Sequence, residues 1–207
     1  MKKSLTVAIA FTALLATGAC STVGAPPAND YGVKHYLTNA TWPEWVMNPI
    51  KYKKEHPGSH YFVGMSTGEP DFELAREDSY AGAMSSLAQS IKDRVHTLFV
   101  SGRTSAFADH SVEIEKDIQA GVIVEAQAVA TGLKPDRYVE REFWFKPGPG
   151  QPVQYGCDVA VLAEMNEKDY RNTLLLTLEK VKQHVSNPRA KKVVSEMKKL
   201  YLNGGSK

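Results

Sequence analysis

One side chain in this sequence sits in a context that specifies a covalent reaction. Cys20 follows Gly18 and Ala19. Small residues let a backbone enter a peptidase cleft, and a thiol immediately after the cut can accept a diacylglyceryl group. Upstream, Lys2 and Lys3 open the chain and an apolar run from Leu5 to Ala16 follows. That is the three-part layout of an export signal, with a run too short to span a bilayer as a permanent helix. The sequence therefore predicts a lipoprotein signal peptide over residues 1–19 and acylation (palmitate or a similar chain) at Cys20. Thr17 stands where such signals prefer Leu, although Leu14 and Leu15 lie just upstream. The competing reading is an ordinary cleaved signal with an incidental cysteine.

Elsewhere the chemistry is sparse. No Gly-rich phosphate loop, nucleophile elbow or paired-cysteine metal motif occurs, so no catalytic residue, cofactor or metal ligand is nominated. The six histidines are scattered, and His56 and His60 have Pro57 and Gly58 between them, which prevents a shared helix face. Cys157 lies between Gly156 and Asp158 in an apolar stretch and reads as a small core residue rather than a nucleophile. With Cys20 acylated it is the only thiol left, so no intramolecular disulfide can form. Cleavage removes 19 of the 207 residues and, with them, two lysines of 25 basic residues. The remaining 188 residues balance 23 basic against 23 acidic groups. That balance argues against a strongly basic nucleic-acid binder, and no nucleic-acid partner is expected.

Two clusters remain as candidate contacts. Trp42 and Trp45 flank Pro43-Glu44; they either seal the core where the chain enters the domain or form an exposed aromatic pair for a partner or glycan. From Lys182 to Lys207 there are seven basic residues and one acid, Glu196. Lys191, Lys192, Lys198 and Lys199 are either a solvated face or a contact for lipid headgroups, lipopolysaccharide or peptidoglycan.

The elements that must carry these residues read as follows. Residues 20–41 are small, polar and proline-containing, a lipidated cysteine followed by a flexible tether. Ser21, where Asp would retain some lipoproteins at the inner membrane, favours the outer membrane. Tyr61 to Ser66 is a strand. Asp71 opens a long helix through Leu74, Ala81, Met84, Leu87, Ala88, Ile91, Val95 and Leu98, thin on one face and so close against a sheet. Its period fades near Leu98-Phe99-Val100, where a second strand toward Ala106 is expected. Residues 109–128 read as a helix, although Gly121-Val122-Ile123-Val124 has strand character. Residues 137–145 and 153–162 form a hairpin across Pro147-Gly148-Pro149-Gly150-Gln151. Asn166 caps a helix with the stripe Tyr170, Leu174, Leu175, Leu178, Val181 and Val185. After Pro188 a short basic helix precedes the tail. The result is an α+β domain over 42–185, helices on one face of a small antiparallel sheet, followed by a basic segment over 186–207.

Cys20, Trp42-Pro43-Glu44-Trp45, Tyr61-Phe62-Val63-Gly64 leading into the alanine-rich helix 75–95, and the late strand running into a helix with Tyr170 and Leu174 together resemble the Lpp-twenty-type bacterial lipoproteins. The resemblance covers residues 42–183. It implies a compact α+β domain without a cofactor, in a family that includes surface antigens and lipoproteins attached to flagellar basal-body rings. The expected function is that of a non-enzymatic, lipid-anchored outer-membrane lipoprotein with a structural or protein-interaction role in the cell envelope, through self-assembly or other envelope proteins. A peptidoglycan-binding module, or an envelope enzyme or enzyme activator, is the alternative.

Overall fold

The structure is a computed structural model that describes residues 30–38, 41–103, 112–130 and 132–204. Cys20 and the signal segment lie outside the described residues. From Tyr31 onward the chain forms one compact unit.

The hairpin forms the centre. Strands β3 (Lys134–Phe145) and β4 (Gln154–Asn166) pair antiparallel from Lys134 opposite Glu164 to Phe145 opposite Gln154. The connecting loop turns at Gly150, whose φ of +72° is one that residues with a side chain rarely adopt. β2 (Ser59–Glu69) pairs with the other edge of β4. A two-residue strand, β1 (His35–Tyr36), pairs with β3, giving the order β1-β3-β4-β2. β1 lies inside the stretch expected to be tether. The backbone there is tied down at several points: Gly32 N–H donates to Lys146 C=O at 2.9 Å, and Leu37 N–H to Glu142 C=O at 2.8 Å.

β4 is central, and its residues are buried on both faces from Gly156 to Ala163. The odd-numbered positions Val161, Ala163 and Met165 face the four long helices: α3 (Phe72–Arg103), α4 (Val112–Val129), α5 (Glu167–His184) and α6 (Pro188–Gly204). The even-numbered Ala160 and Leu162 face two short helices on the opposite side, α1 (Glu44–Met47) and α2 (Pro49–Glu55). The long helices thus occupy one face, as expected, while the chain's entry segment closes the other.

α3 continues through the expected strand at Leu98–Val100. Ile91, Val95, Leu98 and Phe99 are all buried in the same cluster as Ile114 and Ile118, and their spacing of four, seven and eight keeps them on one helical face. A strand there would have turned alternate members outward. The continuation toward Ala106 lies outside the described residues, as do positions 109–111. In α4, Ile114, Ile118, Val122 and Ala126 are buried at four-residue steps, so the Val-Ile-Val run is helical. α5 begins where expected: the Asn166 side chain accepts from Asp169 N–H at 2.9 Å. α6 buries Ala190, Val193, Val194, Met197 and Tyr201 in the main core, each larger apolar side chain contributing about 1.5–3 kcal/mol. The basic C-terminal segment is therefore part of the domain's packing.

The seam between β2 and α3 is set by two glycines. A Cβ on Gly64 would lie 1.8 Å from Ser79 C=O oxygen and 2.4 Å from Ala83 N, both backbone atoms. Gly82 faces it, with an added Cβ 3.3 Å from Gly64 Cα. Ser86 Oγ then donates to Val63 C=O at 3.1 Å, fastening the helix to the strand. Gly64→Ala should cost about 3 kcal/mol in urea unfolding, because rigid backbone must move. Gly82→Ala should stay within about 1 kcal/mol of wild type, since its helix-propensity gain offsets a tight contact.

Candidate functional site

The apolar run of β4 is interrupted by one charge, Asp158, which is 2% exposed. Burying a carboxylate is costly unless donors replace its water. Here three donors come from two separate segments, the entry segment and the β2 bulge. Lys34 Nζ lies 2.8 Å from Oδ1, Gly68 N–H donates to Oδ1 at 2.9 Å, and Tyr36 O–H donates to Oδ2 at 2.7 Å. Gly68 reaches it because β2 bulges between Thr67 and Glu69, with Gly68 at φ +85°.

Arg141 sits across the ladder from Asp158 and is 3% exposed. Its guanidinium lies 3.5 Å from the Tyr36 ring centroid and 4.3 Å from the Trp42 ring centroid. A weakly hydrated, planar cation is suited to that position. Among the described residues Arg141 Nε has no hydrogen-bond partner, and the rings of Tyr36 and Trp42 are what enclose this buried group. Lys34 Nζ also lies 4.0 Å from the Phe143 ring centroid. The Phe143 ring in turn occupies space over Gly156, where an added Cβ would meet its Cζ at 2.8 Å. The segment around β1 is thus strapped to the sheet by charge, phenol and stacked rings.

Both Asp158 oxygens are occupied by donors within the fold. Burial, then the bond to Asp158, pushes the Tyr36 phenol above its ordinary pKa, so it stays a neutral donor. Cys157 takes the core position that its sequence context predicted: it is 2% exposed, its Sγ lies 3.4 Å from Glu69 C=O, and burial pushes its thiol pKa up. A depression of about 250 Å³ lies beside it, lined by Phe72, Glu142 and Tyr155 among others. Among the described residues no group of three or more His, Cys, Asp or Glu is arranged to hold a metal, and no helix is long and apolar enough to cross a membrane.

The structure separates the two clusters nominated from sequence. Trp45 is 5% exposed and packs with Ala160 and Leu162, while Trp42 is half-buried over Arg141. Of the two readings for this pair, sealing the core describes it, and Trp45 is no exposed partner contact. The reason is the even-numbered face of β4, which would otherwise lie bare. The four lysines divide as well. Lys198 pairs with Glu179 at 2.9 Å and Lys199 with Glu196 at 2.9 Å, whereas Lys191 and Lys192 have no ion pair among the described residues. His56 stacks on Tyr52 and His60 on Tyr170, 4.0 and 3.8 Å between centroids, so each has its own aromatic partner.

Lys34, Tyr36, Arg141 and Asp158 were not nominated from sequence. The available signal was Asp158 itself, a lone charge inside the apolar run from Gly156 to Leu162. Its partners lie more than 120 residues away in sequence for Lys34 and Tyr36. Comparison with protein-family models, with curated proteins and with solved structures finds no match. The likeness to Lpp-twenty-type lipoproteins therefore stands on the residues quoted for it.

Asp158→Ala should cost about 3 kcal/mol in denaturant unfolding, since it leaves Lys34, Tyr36 and the Gly68 amide without their common acceptor. Hydrogen exchange at the Leu37 amide should accelerate together with it, and Asp158→Asn should lose less. A second expectation concerns pH. Burial is the leading cause raising the phenol pKa of Tyr36, Tyr61, Tyr80, Tyr170 and Tyr201. The unfolded chain then loses these protons first. Stability from this source is complete below about pH 10 and falls as pH rises through the folded-state values. Unfolding free energy measured along an alkaline series should show that decline, and Tyr36→Phe should make it shallower.

Proposed function

We propose that this chain is a non-enzymatic lipoprotein of the outer membrane, anchored through acylated Cys20, with a structural or protein-interaction role in the cell envelope. The observation that carries this reading is the lipoprotein-type cysteine of the sequence followed, eleven residues later, by the first residue of the compact unit. The likeness to Lpp-twenty-type lipoproteins points the same way. Acyl chains contribute about 0.8 kcal/mol per buried CH₂, so two or more make attachment stable. The strap at Asp158 suits such an anchor, because a pull on the N-terminal segment is resisted by buried charge and ring contacts close to where the chain joins the sheet.

The reach of the domain follows from the strap. With Tyr31 already joined to the sheet, the span from Cys20 is at most about 35–40 Å, roughly half of what a tether extending to residue 41 would allow. The role is one of position: a folded unit held near a membrane, presenting its outer surfaces to partners within that radius.

Growth with labelled palmitate provides the test. Wild type should incorporate label and fractionate with outer membranes, and Cys20→Ser should do neither. Wild-type protein without label, together with Cys20→Ser that still sediments with membranes, would remove the anchor and the function built on it.

A further inference from the structure

The two most exposed large apolar side chains among the described residues are Met47 and Ile50, each 70% exposed and three residues apart. Their direction follows from what roots the two short helices. Trp45 is buried against Ala160 and Leu162, and a helical step of about 100° per residue places Met47 on the far side from it. Tyr52 packs edge-on against Tyr61 of β2, 5.3 Å between centroids, and the same step turns Ile50 outward. Lys54, four residues after Ile50, shares its face, and Lys53 lies beside it. Both lysines are exposed and neither has an ion pair among the described residues, whereas Lys51 is neutralised by Glu44 and Glu55.

We propose that this ridge, Met47, Ile50, Lys53 and Lys54, is a membrane-resting surface that seats on an anionic phospholipid bilayer. The proposal rests on the lipid-anchor reading for its biological setting, and on three observations for its chemistry. Exposed apolar tips beside unpaired lysines complement an interface where acyl chains meet phosphate headgroups. The ridge covers the same face of the sheet that carries the Asp158 strap, so it lies on the side where the chain enters the domain. The span from Cys20 to Tyr31, at most about 40 Å, keeps that face within reach of the bilayer holding the anchor. The lysines of α6 are on the helical layer across the sheet, so they and this ridge cannot lie on one flat membrane together.

The experiment uses residues 20–207 carrying Cys20→Ser, which retains the whole compact unit and lacks both the signal and the acyl chains. Flotation with phosphatidylglycerol–phosphatidylethanolamine vesicles should recover the protein, less so as salt rises, and phosphatidylcholine vesicles should recover little. Met47→Ser with Ile50→Ser should lower partitioning about tenfold. Lys53→Gln with Lys54→Gln should lower it by about fivefold per lysine. Val124→Ser, at a comparably exposed position on α4, should change nothing, and all variants should keep the wild-type melting profile because the altered side chains are exposed. Absence of flotation, equal binding to phosphatidylcholine, or indifference to both double variants would overturn the proposal. So would a dimer in sizing that Met47→Ser with Ile50→Ser dissolves, which would give the ridge to a second copy of the chain. The palmitate assay separates the two readings: label without flotation removes the ridge and leaves the anchor, and flotation without label removes the anchor and leaves the ridge.

Discussion

A carboxylate in the middle of a central strand has to be answered by donors, and the answer organises one whole side of this protein. Asp158 is enclosed by neighbours on both sides of β4, so water cannot serve it. Lys34, Tyr36 and the Gly68 amide take water's place, drawing the entry segment and the β2 bulge onto the same oxygens. Arg141, opposite it on β3, is buried against the rings of Tyr36 and Trp42. These groups come from three stretches of the chain: the entry segment, the end of β2 and β3. Removing the carboxylate therefore loosens several junctions at once, whereas losing one donor loosens mainly its own.

The two faces of the sheet use different physics. On the helical side, apolar area and close backbone approach dominate: Gly64 and Gly82 let α3 settle onto β2, and α4, α5 and α6 close the remaining volume with Leu, Ile, Val and Met. On the other side the covering layer is only two short helices and a strap. Such a thin layer buries too little to be held by apolar area alone, and ion pairing, cation–ring contacts and Trp45 supply the rest. That same thinness leaves its outer side chains, Met47 and Ile50, facing away from the domain.

Local signals made some elements legible. The β3–β4 hairpin is bounded by a proline-glycine loop that cannot continue a ladder, and Asn166 caps α5 through a bond three residues away. Both are decided within a few residues. The end of α3 was not legible, because Leu98-Phe99-Val100 suits a strand by composition and becomes helical only through burial against α4. The end of the tether was missed for a related reason. Residues 31–38 carry no apolar period, and what fixes them is a charge more than 120 residues distant. The tryptophans and lysines were recognisable as unusual, but their partners were not: Ala160 and Leu162 cover Trp45, and Glu179 neutralises Lys198 across two helices.

By itself the sequence determined the α+β class, the antiparallel hairpin, the stripes of the core helices and the chemistry expected of Cys20, since each depends on neighbours in the chain. Only the tertiary structure decided where the entry segment is pinned, which lysines remain unpaired, and which apolar side chains point outward. Those outcomes depend on pairings between distant residues and on which face of β4 each covers. A carboxylate's need for donors can be read at position 158, but the fold alone chooses who supplies them.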